Sequence, residues 1–397
     1  MTIIAVFTGN FLAFIAFVVF AQGAAIPDPA KRDDNPGFVA LDFEVTRKPV
    51  DVNSTLERAK RDSVSSPLYF EGPAYGIRIS VGSNRQEQQV VLDTGSSDFW
   101  VIDANSSCTK EGTECKKYGT FDPDTSTSFN YLGFLFAIVF GDKTSSIGLW
   151  AEDTVQIGDI TLTNQSFADV SLTSAIQGVM GLSRPQPDSP NARFDSVPVT
   201  LKKQGKIKTN AYSLYLNSPG AATGTIIFGG VDNAKYSGKL IEESVVSDQH
   251  FSINLQSLNY DGNKESAGVG VLLDSGSTIS YLPDRIVADL AEKAGARAVP
   301  AGLTGDFYFI DCDAKPEGNA TFTFDNGAEI SVPLTEFVTQ STNEFCPWGL
   351  QSSDTSGGIP ILGDNFLRHA YVVYNLEKDT ISLAQVKYTS ESSVSAI

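Results

Sequence analysis

The amino-acid sequence predicts an all-β chain with minor helix, built as two duplicated lobes. Three observations carry that prediction. Most of residues 68–388 alternates apolar and polar residues in short runs broken by turns, as in Ile77, Ile79 and Val81, then Gly82-Ser-Asn84, then Gln88 to Leu92. Helical spacing is scarce and clearest from Pro283 to Gly295. Finally, one element occurs twice: Val90-Val-Leu-Asp93-Thr94-Gly95-Ser96-Ser97 and Val271-Leu-Leu-Asp274-Ser275-Gly276-Ser277-Thr278. Val179-Met-Gly181 lies 88 residues after Asp93, and Ile361-Leu-Gly363 lies 89 after Asp274. Two motifs at matching offsets imply lobes related by an approximate dyad.

From the amino terminus, residues 3–21 are almost wholly apolar and lead to Ala21-Gln22-Gly23, with small residues at the −3 and −1 positions of a signal-peptidase site. A cleaved secretory signal over 1–23 is expected. The alternative is an uncleaved membrane anchor, favoured by the lack of Lys or Arg before the apolar run and disfavoured by the polar break Thr8-Gly9-Asn10, since a span needs about 20 continuous apolar residues. Two dibasic pairs follow, Lys31-Arg32 and Lys60-Arg61, the second just before Asp62-Ser-Val-Ser-Ser-Pro67. Behind a secretory signal they mark a removable pro-segment over 24–61, in place of the ordinary surface pairs they would be in a cytosolic protein. Residues 62–245 then form the first lobe and 246–397 the second.

Charge and scarce residues exclude several chemistries. The 397-residue chain carries 29 Lys plus Arg against 47 Asp plus Glu, a net charge of −18. The pro-segment is balanced, so the mature part holds 22 basic and 40 acidic residues and all of that charge. No nucleic acid or anionic membrane partner is expected. His250 and His369 are the only histidines, neither near a motif, so a three-His zinc site is impossible and both are read as structural. With no Cys-x-x-Cys pair and no Gly-rich phosphate loop, neither a metal nor a cofactor is expected.

Secretion makes the four cysteines interpretable as disulfides. They allow three pairings; Cys108–Cys115 with Cys312–Cys346 keeps each loop within one half of the chain. Asn105, Asn164 and Asn319 begin glycosylation tripeptides in the mature part, and Asn53 does in the pro-segment. The carboxyl end lacks the long apolar tail of a lipid-anchor signal, which points to a freely secreted, extracellular product.

The two Asp turns suggest a reaction. A buried strand ending in a tight turn presents its Asp at the lobe's edge, Gly permits close backbone approach, and hydroxyls can bond carboxylates and the opposite turn. Two carboxyls within hydrogen-bonding distance share one proton. Such a pair can hold a water, one member drawing off its proton while the other polarises a carbonyl and later protonates the leaving nitrogen. A lone Asp-Thr-Gly is more often a turn or strand-end cap; two copies in one apolar context are not.

At these residues the chain resembles the pepsin-like aspartic proteases, and within them the secreted aspartic proteases of yeasts, the candidapepsins. The similarity covers 62–397 and extends into the pro-segment. It is densest from Ser196-Val-Pro-Val-Thr-Leu to Lys235-Tyr-Ser-Gly-Lys-Leu240 and from Leu362-Gly-Asp-Asn-Phe-Leu-Arg to Val386-Lys-Tyr. The resemblance implies a bilobal pepsin-like fold of two pseudo-symmetric β lobes with a cleft between them, and Asp93 and Asp274 as the catalytic dyad. It further implies that Thr94 and Ser275 link the lobes, that Ser96 and Ser277 bond the outer carboxylate oxygens, and that Gly95 and Gly276 line the cleft.

The family also implies a hairpin flap over the cleft, matched by Phe136-Ala-Ile-Val-Phe140-Gly141-Asp142-Lys143. Phe140 stands where a tyrosine is usual, which should leave the indole N–H of Trp100 without a partner. With Gly141, Asp142 and Ser277, Phe140 is expected to contact substrate. Lys143 reads first as a solvated tip residue and second as a charge that biases substrate choice. Trp150 and Trp348 are read as core or cleft wall.

The expectation is a monomeric aspartic endopeptidase, made as a zymogen, that cleaves protein and peptide substrates at acid pH and is matured by itself or by a dibasic-specific processing protease. Two other classes compete: a protease-like binding protein without turnover, favoured only by the altered flap, and a two-carboxylate glycosidase, which gives no reason for the duplicated turns.

Overall fold

The computed structural model describes residues 36–46, 74–109, 114–140, 144–185, 189–248, 250–260, 262–300, 306–339 and 345–397. The expected signal peptide, both dibasic pairs, Asn53, and Gly141, Asp142 and Lys143 of the flap lie outside them.

Short strands dominate, for the reason visible in Ala74–Val81: Tyr75, Ile77, Ile79 and Val81 are buried on one face while Arg78 points to solvent. Among the described residues the strands gather into sheets of 13, seven, three and two. The largest sheet spans both halves of the chain, since Ala370–Asn375 pairs with Ala211–Tyr215. It also takes in Val39–Thr46, a strand inside the expected pro-segment, between Thr223–Phe228 and Ala74–Val81. Phe43 anchors this strand in the core with 1% exposure.

The duplication is visible in strand topology. Gln86–Asp93 runs parallel to Gly178–Gly181, with Asp93 opposite Gly181, and Phe99–Cys108 joins the other side of that short strand antiparallel. In the second half Asn263–Leu273 runs parallel to Ile361–Leu362, and Ser280–Leu282 joins antiparallel. Each Asp turn is thus cradled by its own short strand, which explains the matching 88- and 89-residue offsets. The glycine ending each cradle is required by close approach: a Cβ on Gly181 would lie 2.5 Å from the Asp98 nitrogen, and one on Gly363 2.4 Å from the Ser277 oxygen.

Helix is minor. Asp284–Ala294 buries Ile286, Val287, Leu290 and Ala291 on one stripe, starts at Pro283 and stops at Gly295, whose φ of +82° ends it in the left-handed conformation. A short helix at Val197–Lys203 was not legible in the sequence, because only seven residues carry its pattern. The disulfides are Cys108–Cys115 and Cys312–Cys346. No helix among the described residues is long and apolar enough to cross a membrane, and no cluster of potential metal ligands occurs among them.

Candidate active site

The two duplicated turns meet at the junction of the halves and are tied by reciprocal hydrogen bonds. Thr94 Oγ1 donates to the Leu273 carbonyl at 2.8 Å and accepts from the Ser275 N–H at 2.9 Å. Ser275 Oγ donates to the Leu92 carbonyl at 2.8 Å and accepts from the Thr94 N–H at 3.2 Å. Thr94 and Ser275 are both buried, so these four bonds form away from competing water.

Above this grip sit Asp93 and Asp274, 7% and 8% exposed. Each carboxyl has the same two donors. Asp93 accepts from the Gly95 N–H at 2.8 Å and the Ser96 hydroxyl at 2.5 Å; Asp274 accepts from the Gly276 N–H at 2.8 Å and the Ser277 hydroxyl at 2.6 Å. The carboxyls lie within hydrogen-bonding reach of one another. Each glycine abuts the opposite aspartate, so a Cβ on Gly95 would lie 2.5 Å from Asp274 Oδ1 and one on Gly276 2.8 Å from Asp93 Oδ1. Burial first, and the neighbouring Asp93 charge second, push the Asp274 carboxyl up to about 7. Two carboxyls this close disfavour ionisation of both at once.

This geometry places the chain among known proteins. A model of the eukaryotic aspartyl protease family matches residues 74–386. The chain belongs to that family. It is an aspartic-type endopeptidase by that membership. It is 68% identical over 382 residues to candidapepsin-2 of Candida parapsilosis, covering 96% of this chain and 92% of the relative. Candidapepsin of Candida tropicalis is 46% identical over 405 residues, and secreted aspartic protease 8 of Candida albicans 44% over 418, with each pair covered end to end.

The remaining predicted residues fall as follows in this aspartyl protease. Gly276 is exposed and Gly95 half-buried beside the dyad. Phe140 follows the strand Asn130–Val139, its ring 6.2 Å from that of Trp100, and the Trp100 indole N–H has no partner among the described residues. Trp150 and Trp348 are buried core. Asn105, Asn164 and Asn319 are exposed, and Asn164 has a φ of +50°. His250 is half-buried; His369 is buried 3.5 Å from Glu336, which Arg368 also reaches at 3.3 Å.

Asp98 and Asn191 had no sequence signal. Asn191 bridges Asp98 and Trp150, donating to the Asp98 carboxylate at 2.7 Å and accepting the Trp150 indole N–H at 3.1 Å. Burial pushes Asp98 upward. Asp364, fully buried, is driven well above the usual carboxylate range by burial, with Arg368 opposing. Here a signal existed: Asp follows Gly363 where Leu182 follows Gly181, a departure from the repeat.

Proposed function

We propose that the chain is a secreted aspartic endopeptidase, made as a zymogen, that hydrolyses extended polypeptides at acid pH through a water activated by Asp93 and Asp274. The observation that carries this reading is the pair of buried carboxyls, each holding its own Gly N–H and Ser hydroxyl, with burial and the Asp93 charge pushing the Asp274 carboxyl up to about 7. The ionised partner accepts a proton from the water as it attacks the scissile carbonyl. The protonated carboxyl donates to the carbonyl oxygen, and a proton then passes to the leaving nitrogen as the C–N bond breaks. Because the pair needs one proton, turnover falls as pH rises past the upper of its two macroscopic constants.

The apolar leader ending at Gly23 and the relatives named secreted aspartic protease support secretion. Lys60-Arg61 supports a pro-segment ending at Arg61, released by the enzyme itself or by a dibasic-specific protease. The strand Val39–Thr46, inserted between two strands of the body, supports packing of that segment on the first lobe, 62–245, ahead of the second, 246–397. Phe140, with Gly141 and Asp142, is assigned to the substrate face of the flap.

Amino-terminal sequencing of the secreted product, together with its cleavage map on a peptide library from pH 3 to 8, tests the reading. A product starting at Asp62 with an acid optimum is expected. An alkaline optimum, or tight binding of a statine-type inhibitor without any cleavage, would sink it.

A further inference from the structure

Beneath the dyad lies a hydroxyl that the reaction scheme does not use. The carbonyl of Leu273, the peptide that leads into Asp274, accepts the Thr94 hydroxyl and also the hydroxyl of Tyr374 at 3.1 Å. Tyr374 Oη lies 3.5 Å from Thr94 Oγ1 as well. The other turn has no equivalent: Leu92, at the matching position, receives the Ser275 hydroxyl, and among the described residues no second hydroxyl reaches its carbonyl. The grip is therefore symmetric in its Thr and Ser and asymmetric in this tyrosine.

We propose that Tyr374 is a positioning residue for the reaction, its hydroxyl holding the Leu273–Asp274 peptide so that the Asp274 carboxyl stays in register with Asp93. The inference rests on the dyad reading above. The peptide is planar, so fixing its carbonyl and its N–H together fixes the Asp274 Cα and the axis about which its side chain can turn. The N–H end is held by the Leu362 carbonyl at 3.0 Å. The carbonyl end is held by Thr94 and Tyr374, and the Thr94 hydroxyl is itself shared with the Ser275 N–H. Tyr374 is the donor that comes from neither turn; it stands on the strand Ala370–Asn375 of the large sheet, 1% exposed.

The neighbouring ring supplies an internal control. Tyr212 pairs with Tyr374 across two strands and stacks on it at 4.8 Å and 17°. It is equally buried and lies near both dyad carboxyls, yet its hydroxyl has no partner among the described residues. Two stacked, equally buried phenols thus differ in whether the hydroxyl holds the Asp274 peptide. Removing each hydroxyl leaves the packing of both rings unchanged.

The experiment compares Tyr374→Phe with Tyr212→Phe in enzyme secreted from the full chain, measuring kcat and KM on one peptide from pH 3 to 7 and the thermal midpoint of each protein. Tyr374→Phe is expected to lower kcat by about three- to tenfold, the worth of one neutral hydrogen bond, with KM within twofold. Its alkaline limb moves to lower pH, because carboxyls held less closely share a proton less tightly. Tyr212→Phe keeps the kcat and pH profile of the parent. Unchanged kcat and profile in Tyr374→Phe overturn the proposal, as does an equal loss in both variants, which would assign the tyrosines to packing alone. An Asp93→Asn control separates the two levels: turnover surviving there overturns the dyad reading itself, and this inference with it.

Discussion

Asp93 with Asp274, and Asp103 with Asp169, are both pairs of buried carboxyls within hydrogen-bonding reach, and in each pair one member is pushed up to about 7 by burial first and its partner's charge second. Their surroundings differ. Each dyad carboxyl has a backbone N–H and a serine hydroxyl of its own and faces the junction of the halves. Asp169 has one donor, the Tyr131 hydroxyl at 3.0 Å, and its Oδ1 has no N–H or O–H partner among the described residues. Tyr131 stands near the start of the strand Asn130–Val139, just before the bulge at which that strand's pairing with Ser145–Ile157 shifts. A raised carboxyl is thus no marker of chemistry by itself. Two donors for each carboxyl, on a duplicated turn, distinguish Asp93 with Asp274, while Asp169 holds Tyr131 of the strand Asn130–Val139 at a cost that depends on pH.

The sign of that cost follows from linkage. Asp169 and Asp274 both bind protons more tightly folded than unfolded, so between about pH 4 and pH 7 the folded state holds more protons and stability falls as pH rises. Below that window the penalty is absent, and above about 7 it is complete.

The largest effect expected from separating the pairs is on turnover. Asp93→Asn and Asp274→Asn each lower peptide hydrolysis by on the order of 10⁴-fold, while calorimetry at neutral pH finds Asp274→Asn no less stable than the parent. Asp169→Asn is expected to do the opposite. Acid turnover is kept, and stability at pH 7 rises by at most about 4 kcal/mol, with no gain at pH 3.5 in denaturant titrations. A gain of the same size at both pH values would show that Asp169 does not carry the neutral-pH loss. Tyr131→Phe removes the donor that holds Asp169 down, so stability at pH 7 drops by about 1 kcal/mol and stays level in acid. The smallest change is Phe140→Tyr, which offers the Trp100 indole N–H an acceptor. Steady-state kinetics should show kcat/KM altered by no more than about tenfold, with the dyad's pH profile unmoved.

Much of the fold and the dyad was legible without coordinates because it is written locally. Three apolar residues followed by Asp, a hydroxyl residue, Gly and Ser specify a buried strand and its turn within eight residues, and the second copy specifies its partner. Pro283 and Gly295 bracket a helix through their own backbone preferences. That Phe140 stands where a tyrosine is usual came from the family resemblance and not from local pattern; the Trp100 indole N–H has no partner among the described residues.

Contacts between side chains far apart in sequence were decided by the tertiary structure alone. Tyr374 reaches Leu273 across 101 residues, Asn191 reaches Asp98 across 93, and Tyr131 reaches Asp169 across 38. An alternating strand announces which face it buries but not which strand lies beside it or in what register. Residue order determined that this chain carries two facing aspartates. Sheet order and register decided which hydroxyl reaches the peptide beside one of them, and that Asp103 and Asp169 would be buried as a second carboxyl pair.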